Sequence, residues 1–216
     1  MRGFIAAAFG VLIVLLGAPA AYADPGGKGD DRGEADLIEP GPPTEGETNY
    51  GDADWSAADS SNYTAADRPD SHPIDTVVIH TMQGSYEGTM SWFQNPKSDV
   101  TTHYVMRAED GKVTQMVHES DIAWHAGNWD VNTESVGIEH EGFVDEPEKW
   151  YTDTVYEASA RLVRDICARY DIPMDREHII AHSEVPDATH TDPGSGWDWD
   201  KYMDLIEQAD AEANAA

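Results

Sequence analysis

A single cysteine, Cys167, stands in this chain. One thiol excludes any intramolecular disulfide, and a domain of ordinary size does not need one. No cysteine lies near residue 23, which excludes a lipid anchor attached through a cysteine at an export cleavage site. Basic residues are also scarce, with 13 Lys and Arg against 42 Asp and Glu, so the net charge is −29 and the sequence pI near 4.3. That balance repels phosphates and anionic headgroups, so nucleic acid is not an expected partner. The same acidity keeps an exported protein soluble and identifies no substrate. Beyond residue 23 no apolar run approaches the roughly 20 residues that span a bilayer, so no membrane association is expected once the leader is gone.

The one long apolar stretch lies at the start. Arg2 precedes an apolar run from Phe4 to Leu16, and Ala21-Tyr22-Ala23 before Asp24 has the small-x-small form of a signal-peptide cleavage site. The expected organisation is a signal peptide over 1–23 and a secreted mature chain from Asp24. Residues 24–70 are rich in Asp, Glu, Gly, Pro, Ser and Ala with few large aliphatics, a composition that predicts an acidic disordered linker. All nine histidines and six of the seven tryptophans follow it. A catalytic domain is therefore expected over 71–209, about 140 residues, enough to bury a core, with a frayed tail over 210–216. There is no internal repeat, and a monomer is the expected state.

Periodicity places the elements. Ile74-Asp75-Thr76-Val77-Val78-Ile79-His80 has the β-branched richness of a buried strand. Tyr86 to Gln94 reads as a helix stopped at Asn95-Pro96. Asp110-Gly111 between His103–Arg107 and Lys112–Val117 signals a hairpin. In the strand Ser135 to Glu141, a period of two puts Ser135, Gly137, Glu139 and Glu141 on one face. Val155, Ser159, Leu162, Ile166 and Tyr170 form a helical stripe that places Cys167 in the core. Strands interleaved with helices predict an α/β fold, one domain with a central mixed sheet flanked by helices.

Three residues have local contexts that fit ligands to one zinc ion. His80 closes a buried strand, which holds a side chain rigidly. His182, in Ala181-His182-Ser183-Glu184-Val185-Pro186, and Asp192, in Thr189-His190-Thr191-Asp192-Pro193-Gly194, are joined by a Pro-containing loop. Two nitrogens and one oxygen leave a fourth position open for water, the arrangement of catalytic zinc. Glu139 is a candidate to accept the proton of that water, with Glu141 on the same face as the alternative. His190, two positions from Asp192 on a turn, is the candidate to stabilise an oxyanion.

The segments Val77-Val78-Ile79-His80-Thr81, Thr102-His103-Tyr104-Val105, Ala123-Trp124-His125-Ala126-Gly127, Ser135-Val136-Gly137-Ile138-Glu139 and His190-Thr191-Asp192-Pro193-Gly194 occur in this order. Over about residues 70–205 the chain thereby resembles the zinc-dependent N-acetylmuramoyl-L-alanine amidases of the amidase-2 family, relatives of the peptidoglycan recognition proteins. The resemblance implies that family's fold and cleavage of the amide between the lactyl group of N-acetylmuramic acid and L-alanine, with peptidoglycan or a muropeptide as substrate. It implies His80, His182 and Asp192 as zinc ligands. The chain resembles the branch with an aspartate ligand, in which a glutamate of the Gly-Ile-Glu strand, here Glu139, serves near the metal. Thr102 stands where the thiolate branch often has tyrosine, and His190 where relatives often have lysine.

Other residues carry weaker signals. His125 is a candidate contact to the muramyl peptide, as are Thr102 and His103, the last of which also reads as a packed strand histidine. Trp124, Trp129, Trp197 and Trp199 fit either a glycan groove or the core. Two functions compete with the amidase: a peptidoglycan receptor of the same fold that lost its chemistry, and a zinc hydrolase acting on another amide.

Overall fold

The computed structural model describes residues 46–215. The signal-peptide expectation and the first part of the linker expectation, residues 1–45, lie outside the described residues.

In chain order the strands are β1 (Asp54–Trp55), β2 (Tyr63–Thr64), β3 (Thr76–Thr81), β4 (Tyr104–Met106), β5 (Val113–Gln115), β6 (Ile122–Ala123), β7 (Ser135–His140) and β8 (Ile179–Ala181). The helices are α1 (Tyr86–Phe93), α2 (Trp129–Glu134), α3 (Pro147–Trp150), α4 (Asp153–Tyr170) and α5 (Trp199–Ala213). Six strands form one mixed sheet in the order β1-β5-β4-β7-β3-β8, while β2 and β6 make a separate antiparallel pair. Within the large sheet β4 and β5 are antiparallel, the hairpin that Asp110-Gly111 predicts, and the remaining pairs are parallel.

Strand β3 is paired on both edges and covered on both faces, which is why its sequence is a continuous apolar run rather than an alternation. Val77, Ile79, Val136 and Ile138 point to the face packed by α4 and α5, through Val155, Leu162, Val163, Ile166, Tyr202 and Ile206. Each such aliphatic, fully buried, contributes roughly 1.5–3 kcal/mol. The opposite face carries Val78 with Ala126 and Val185, and Val105 with α1 through Tyr86 and Phe93. Because the strand period is two, His80 on β3 and Glu139 on β7 belong to that second face.

The main helix, α4, is capped by Thr152, whose hydroxyl accepts from Val155 N–H, and ends at Asp171 in the left-handed region at φ 55°. Ser159, the small residue of its stripe, is hydrogen-bonded by Oγ to Tyr202 Oη (2.6 Å) and to His140 Nε2 (2.8 Å), tying α4 to α5 and to β7. Cys167 is buried in this interface, and burial pushes its thiol up to about 12.

Secondary structure continues past the expected domain limits on both sides. Within the expected linker, residues 46–70 contribute β1 and β2, and Arg68 is buried. Its guanidinium donates to the carbonyls of Glu119, Asn132, Thr133 and Ser135. Composition is a poor guide here because one buried arginine that satisfies many carbonyls replaces a cluster of aliphatics. At the other end α5 runs to Ala213, and Arg164 Nε donates to Asp210 (3.0 Å), so the expected tail continues a helix.

Candidate metal centre

Strand register assembles the site. Ile79 pairs with Ala181 across β3 and β8, so the residue after each, His80 and His182, emerges side by side at the same sheet end. Their rings meet edge to face with centroids 4.4 Å apart. A loop then returns Asp192 to them. Ser183 N–H donates to the Asp192 carbonyl (3.1 Å), and Thr81 N–H donates to Asp192 Oδ2 (3.2 Å). Tyr151 braces the turn from below, donating to the carbonyl of Pro193 (2.7 Å) and bonding Thr81 Oγ1 (2.9 Å).

The three side chains converge. Asp192 Oδ2 lies 3.5 Å from His80 Nδ1, and Asp192 Oδ1 lies 3.2 Å from His182 Nδ1. One donor atom from each residue falls within 4.8 Å of the others, and all three residues are buried. Burial pushes His80 down to about 4, which keeps its ring neutral and its lone pair available. Burial opposes ionisation of Asp192, but hydrogen bonding with His182 and the closeness of the His80 ring outweigh it and hold the carboxyl well below the usual carboxylate range.

Glu139 is the register partner of His80 across β3 and β7. Desolvation, with Asp192 as a second cause, holds its carboxyl well above the ordinary glutamate value. Its Oε2 and Nε2 of His182 are enclosed polar atoms with no hydrogen-bond partner among the described residues. Such groups mark a place that something other than protein completes. Two imidazole donors and one carboxylate are a zinc-type donor set, and they fit zinc.

The competing carboxylate, Glu141, is spent on structure. Its Oε1 accepts from Tyr86 N–H (3.0 Å) and its Oε2 from Ala108 N–H (2.9 Å). His190 lies at the rim, with its side chain 61% exposed, its ring stacked on His182 at 4.3 Å and its Nδ1 3.9 Å from Asp192. Thr102 is fully buried with an unpartnered hydroxyl.

His103 and His125, the expected candidate substrate contacts, sit among protein groups. Both are buried behind the ligands, and both ring nitrogens of each are engaged by protein. His103 Nδ1 accepts from Gly137 N–H (3.0 Å) and its Nε2 faces the Asp121 carbonyl (3.2 Å). His125 Nδ1 lies 2.9 Å from His80 Nε2, and its Nε2 lies 3.2 Å from Ser135 Oγ. Ser135 and Gly137 are the residues sequence reasoning placed on the right face without a role. A glycine inside a strand is the available signal, since it marks a close approach. Of the tryptophans, Trp197 is core, Trp199 packs against it under the Arg176 guanidinium, Trp124 donates to Thr64 Oγ1 (3.0 Å), and Trp129 is exposed.

A mixed α/β sheet that carries two histidines and an aspartate at one end, with an enclosed glutamate beside them, defines the class as an amidase-type hydrolase fold. Residues 70–195 match the Amidase_2 family, described as N-acetylmuramoyl-L-alanine amidase. The chain is 39% identical to N-acetylmuramoyl-L-alanine amidase A of Achromobacter lyticus over 175 residues, covering 73% of this chain and 95% of that one. It therefore belongs to the N-acetylmuramoyl-L-alanine amidase family, whose members are peptidoglycan amidases. The crystal structure of a selenomethionine AmpD derivative shares the fold, with a TM-score of 0.59 and 24% identity over 73% of this chain and 96% of that one. AmiD from E. coli, solved with the substrate anhydro-N-acetylmuramic acid-L-Ala-D-gamma-Glu-L-Lys, aligns at TM-score 0.52 with 26% identity over 61% of this chain and 57% of that one.

Proposed function

We propose that this amidase is zinc-dependent and exported, and that it hydrolyses the amide between the lactyl group of N-acetylmuramic acid and the L-alanine of a stem peptide. The observation that carries the reading is the convergence of His80, His182 and Asp192 beside the enclosed, protonation-prone Glu139. The AmiD complex with a muropeptide supports a substrate of the same chemistry.

His80, His182 and Asp192 would hold the metal. Zinc bound by such a set supplies a Lewis acid and lowers the pKa of a water to about 7. Glu139, its carboxyl enclosed and with a raised pKa, accepts the proton of the attacking water and returns it to the departing alanine amine. His190, stacked on His182 at the solvent edge, faces the charge that develops on the carbonyl oxygen. Asp192, held ionised, offsets cationic charge in the pocket. A receptor that had lost the chemistry would lack a ligand or the base, and this chain keeps all four residues.

Two measurements test the reading. Metal analysis of the purified protein is expected to give one zinc per chain, and Asp192→Ala to abolish it while the domain stays folded; an unchanged zinc content in the variant contradicts the ligand set. Export is supported by the leader-like run before Asp24. Mass spectrometry of protein recovered from culture medium is expected to find a chain beginning at Asp24, and an intact Met1 in the cell fraction alone contradicts it.

A further inference from the structure

Beside the site, a short line of hydrogen bonds leads from α2 to His80, and its direction is determined by proton count. Ser135 Oγ donates to the Val131 carbonyl within α2. A hydroxyl has one proton, so towards His125 Nε2, 3.2 Å away, Ser135 is the acceptor and His125 Nε2 carries a hydrogen. A neutral imidazole then has its lone pair on Nδ1. That lone pair faces His80 Nε2 at 2.9 Å, so His80 Nε2 is the donor. His80 is left with a bare Nδ1 directed into the pocket shared with His182 and Asp192. The competing arrangement, Nδ1–H on His80 donating to Asp192, has a separation of 3.5 Å, longer than a good N–H···O bond.

The position of His125 is held from several sides. The Asn132 carboxamide oxygen accepts from the backbone N–H of His125 (3.1 Å) and of Ala126 (2.8 Å). The ring lies flat on β7, where a Cβ on Gly137 would come within 2.6 Å of His125 Cγ. The His103 ring meets it edge-on, with centroids 5.7 Å apart. Only a residue without a side chain at 137 admits the ring at this depth.

We propose that Ser135 and His125 are positioning residues that hold His80 in its Nε2–H tautomer, so that Nδ1 is already a free ligand before metal arrives. The inference rests on the zinc reading of the pocket, but the tautomer itself belongs to the metal-free chain. A histidine ligand with the proton on the wrong nitrogen must rearrange before it binds, and loss of an outer partner of this kind typically lowers metal affinity 10–100-fold.

Long-range proton–nitrogen correlation spectra of the metal-free protein at neutral pH test it directly. The expected result is an Nε2–H pattern for both His80 and His125, and an Nδ1–H pattern on either ring overturns the relay. Zinc competition titration supplies the second readout. His125→Leu is expected to bind zinc about 10–100-fold more weakly, whereas His125→Asn, whose carboxamide oxygen can accept from His80 Nε2–H, restores most of the loss. Wild-type affinity in folded His125→Leu overturns the proposal. If that variant does not fold, the wild-type tautomer decides alone. A wild-type chain that binds no zinc contradicts the metal reading and leaves the tautomer result to stand or fall separately.

Discussion

His80 and Glu139 are register partners on the adjacent parallel strands β3 and β7, so a proposed metal ligand and a carboxylate rise from the same face at the same height of the sheet. Neither depends on a mobile loop for its place. Rigid placement of this kind keeps a proton acceptor within reach of a water without a conformational step.

Glu139→Gln separates the acid–base role from metal binding. The variant is expected to keep its zinc and lose about 10²–10⁴-fold in turnover, the usual share of general acid–base catalysis. Steady-state hydrolysis of a muropeptide, paired with metal analysis, checks both halves. Wild-type rates would transfer the role to His190, since Glu141 is occupied by two backbone N–H groups.

Metal removal should loosen the fold locally, because Asp192 reaches back to β3 through the Thr81 N–H. Ligand linkage predicts about 2.7 kcal/mol of stabilisation at zinc a hundredfold above its dissociation constant. Denaturant midpoints with zinc and with chelator measure it. Asp192→Ala is expected to give the same midpoint in both conditions.

A second buried network predicts a stability effect away from the site. Glu119 is fully buried, accepts from Tyr104 Oη (2.7 Å) and Tyr170 Oη (2.8 Å), and is paired with the Arg169 guanidinium. Arg169→Met leaves that carboxylate without its cation, which costs about 3–5 kcal/mol in comparable cases. Chemical denaturation is expected to register the loss while zinc stoichiometry is unchanged.

Acid sensitivity of the metal-free protein follows from its buried imidazoles. Burial pushes His80 and His140 down to about 4, and His103 and His125 well below the ordinary value. Between pH 4 and 6.5 the unfolded chain binds protons there that the folded chain does not, so their contribution is complete above about pH 6.5 and is lost as pH falls towards 4, by up to ~1.4 kcal/mol per pH unit per group. Glu139 runs the other way, because its raised pKa favours the folded state at low pH, but it is one group against four. Asp192, held low, loses its contribution only below this window. Urea midpoints in the presence of chelator should therefore rise from pH 4.5 to 6.5; a flat profile contradicts this account.

What the sequence made legible was what repeats or alternates. The buried run of β3, the Asp110-Gly111 hairpin and the stripe of α4 have strong periods, and each lies where its pattern places it. The candidate metal ligands were legible as residue types at strand ends and in a Pro-containing loop, although their convergence is a matter of register between β3 and β8, which no local pattern expresses. Arg68 was missed because one guanidinium satisfying several distant carbonyls leaves no trace in composition. α5 had a readable signal in the cap Asp198 followed by Tyr202 and Ile206 one turn apart. The burial of the His125 ring was not legible, because the glycine that admits it, Gly137, lies on another strand.

The most direct test of the central claim is digestion of purified peptidoglycan, with zinc and after chelation, followed by mass spectrometry of the new termini. The account predicts stem peptides with free L-alanine amino termini and intact N-acetylmuramic acid lactyl groups, released only when zinc is present. Cleavage that persists unchanged in the metal-depleted protein, or new termini at any other bond, would contradict it.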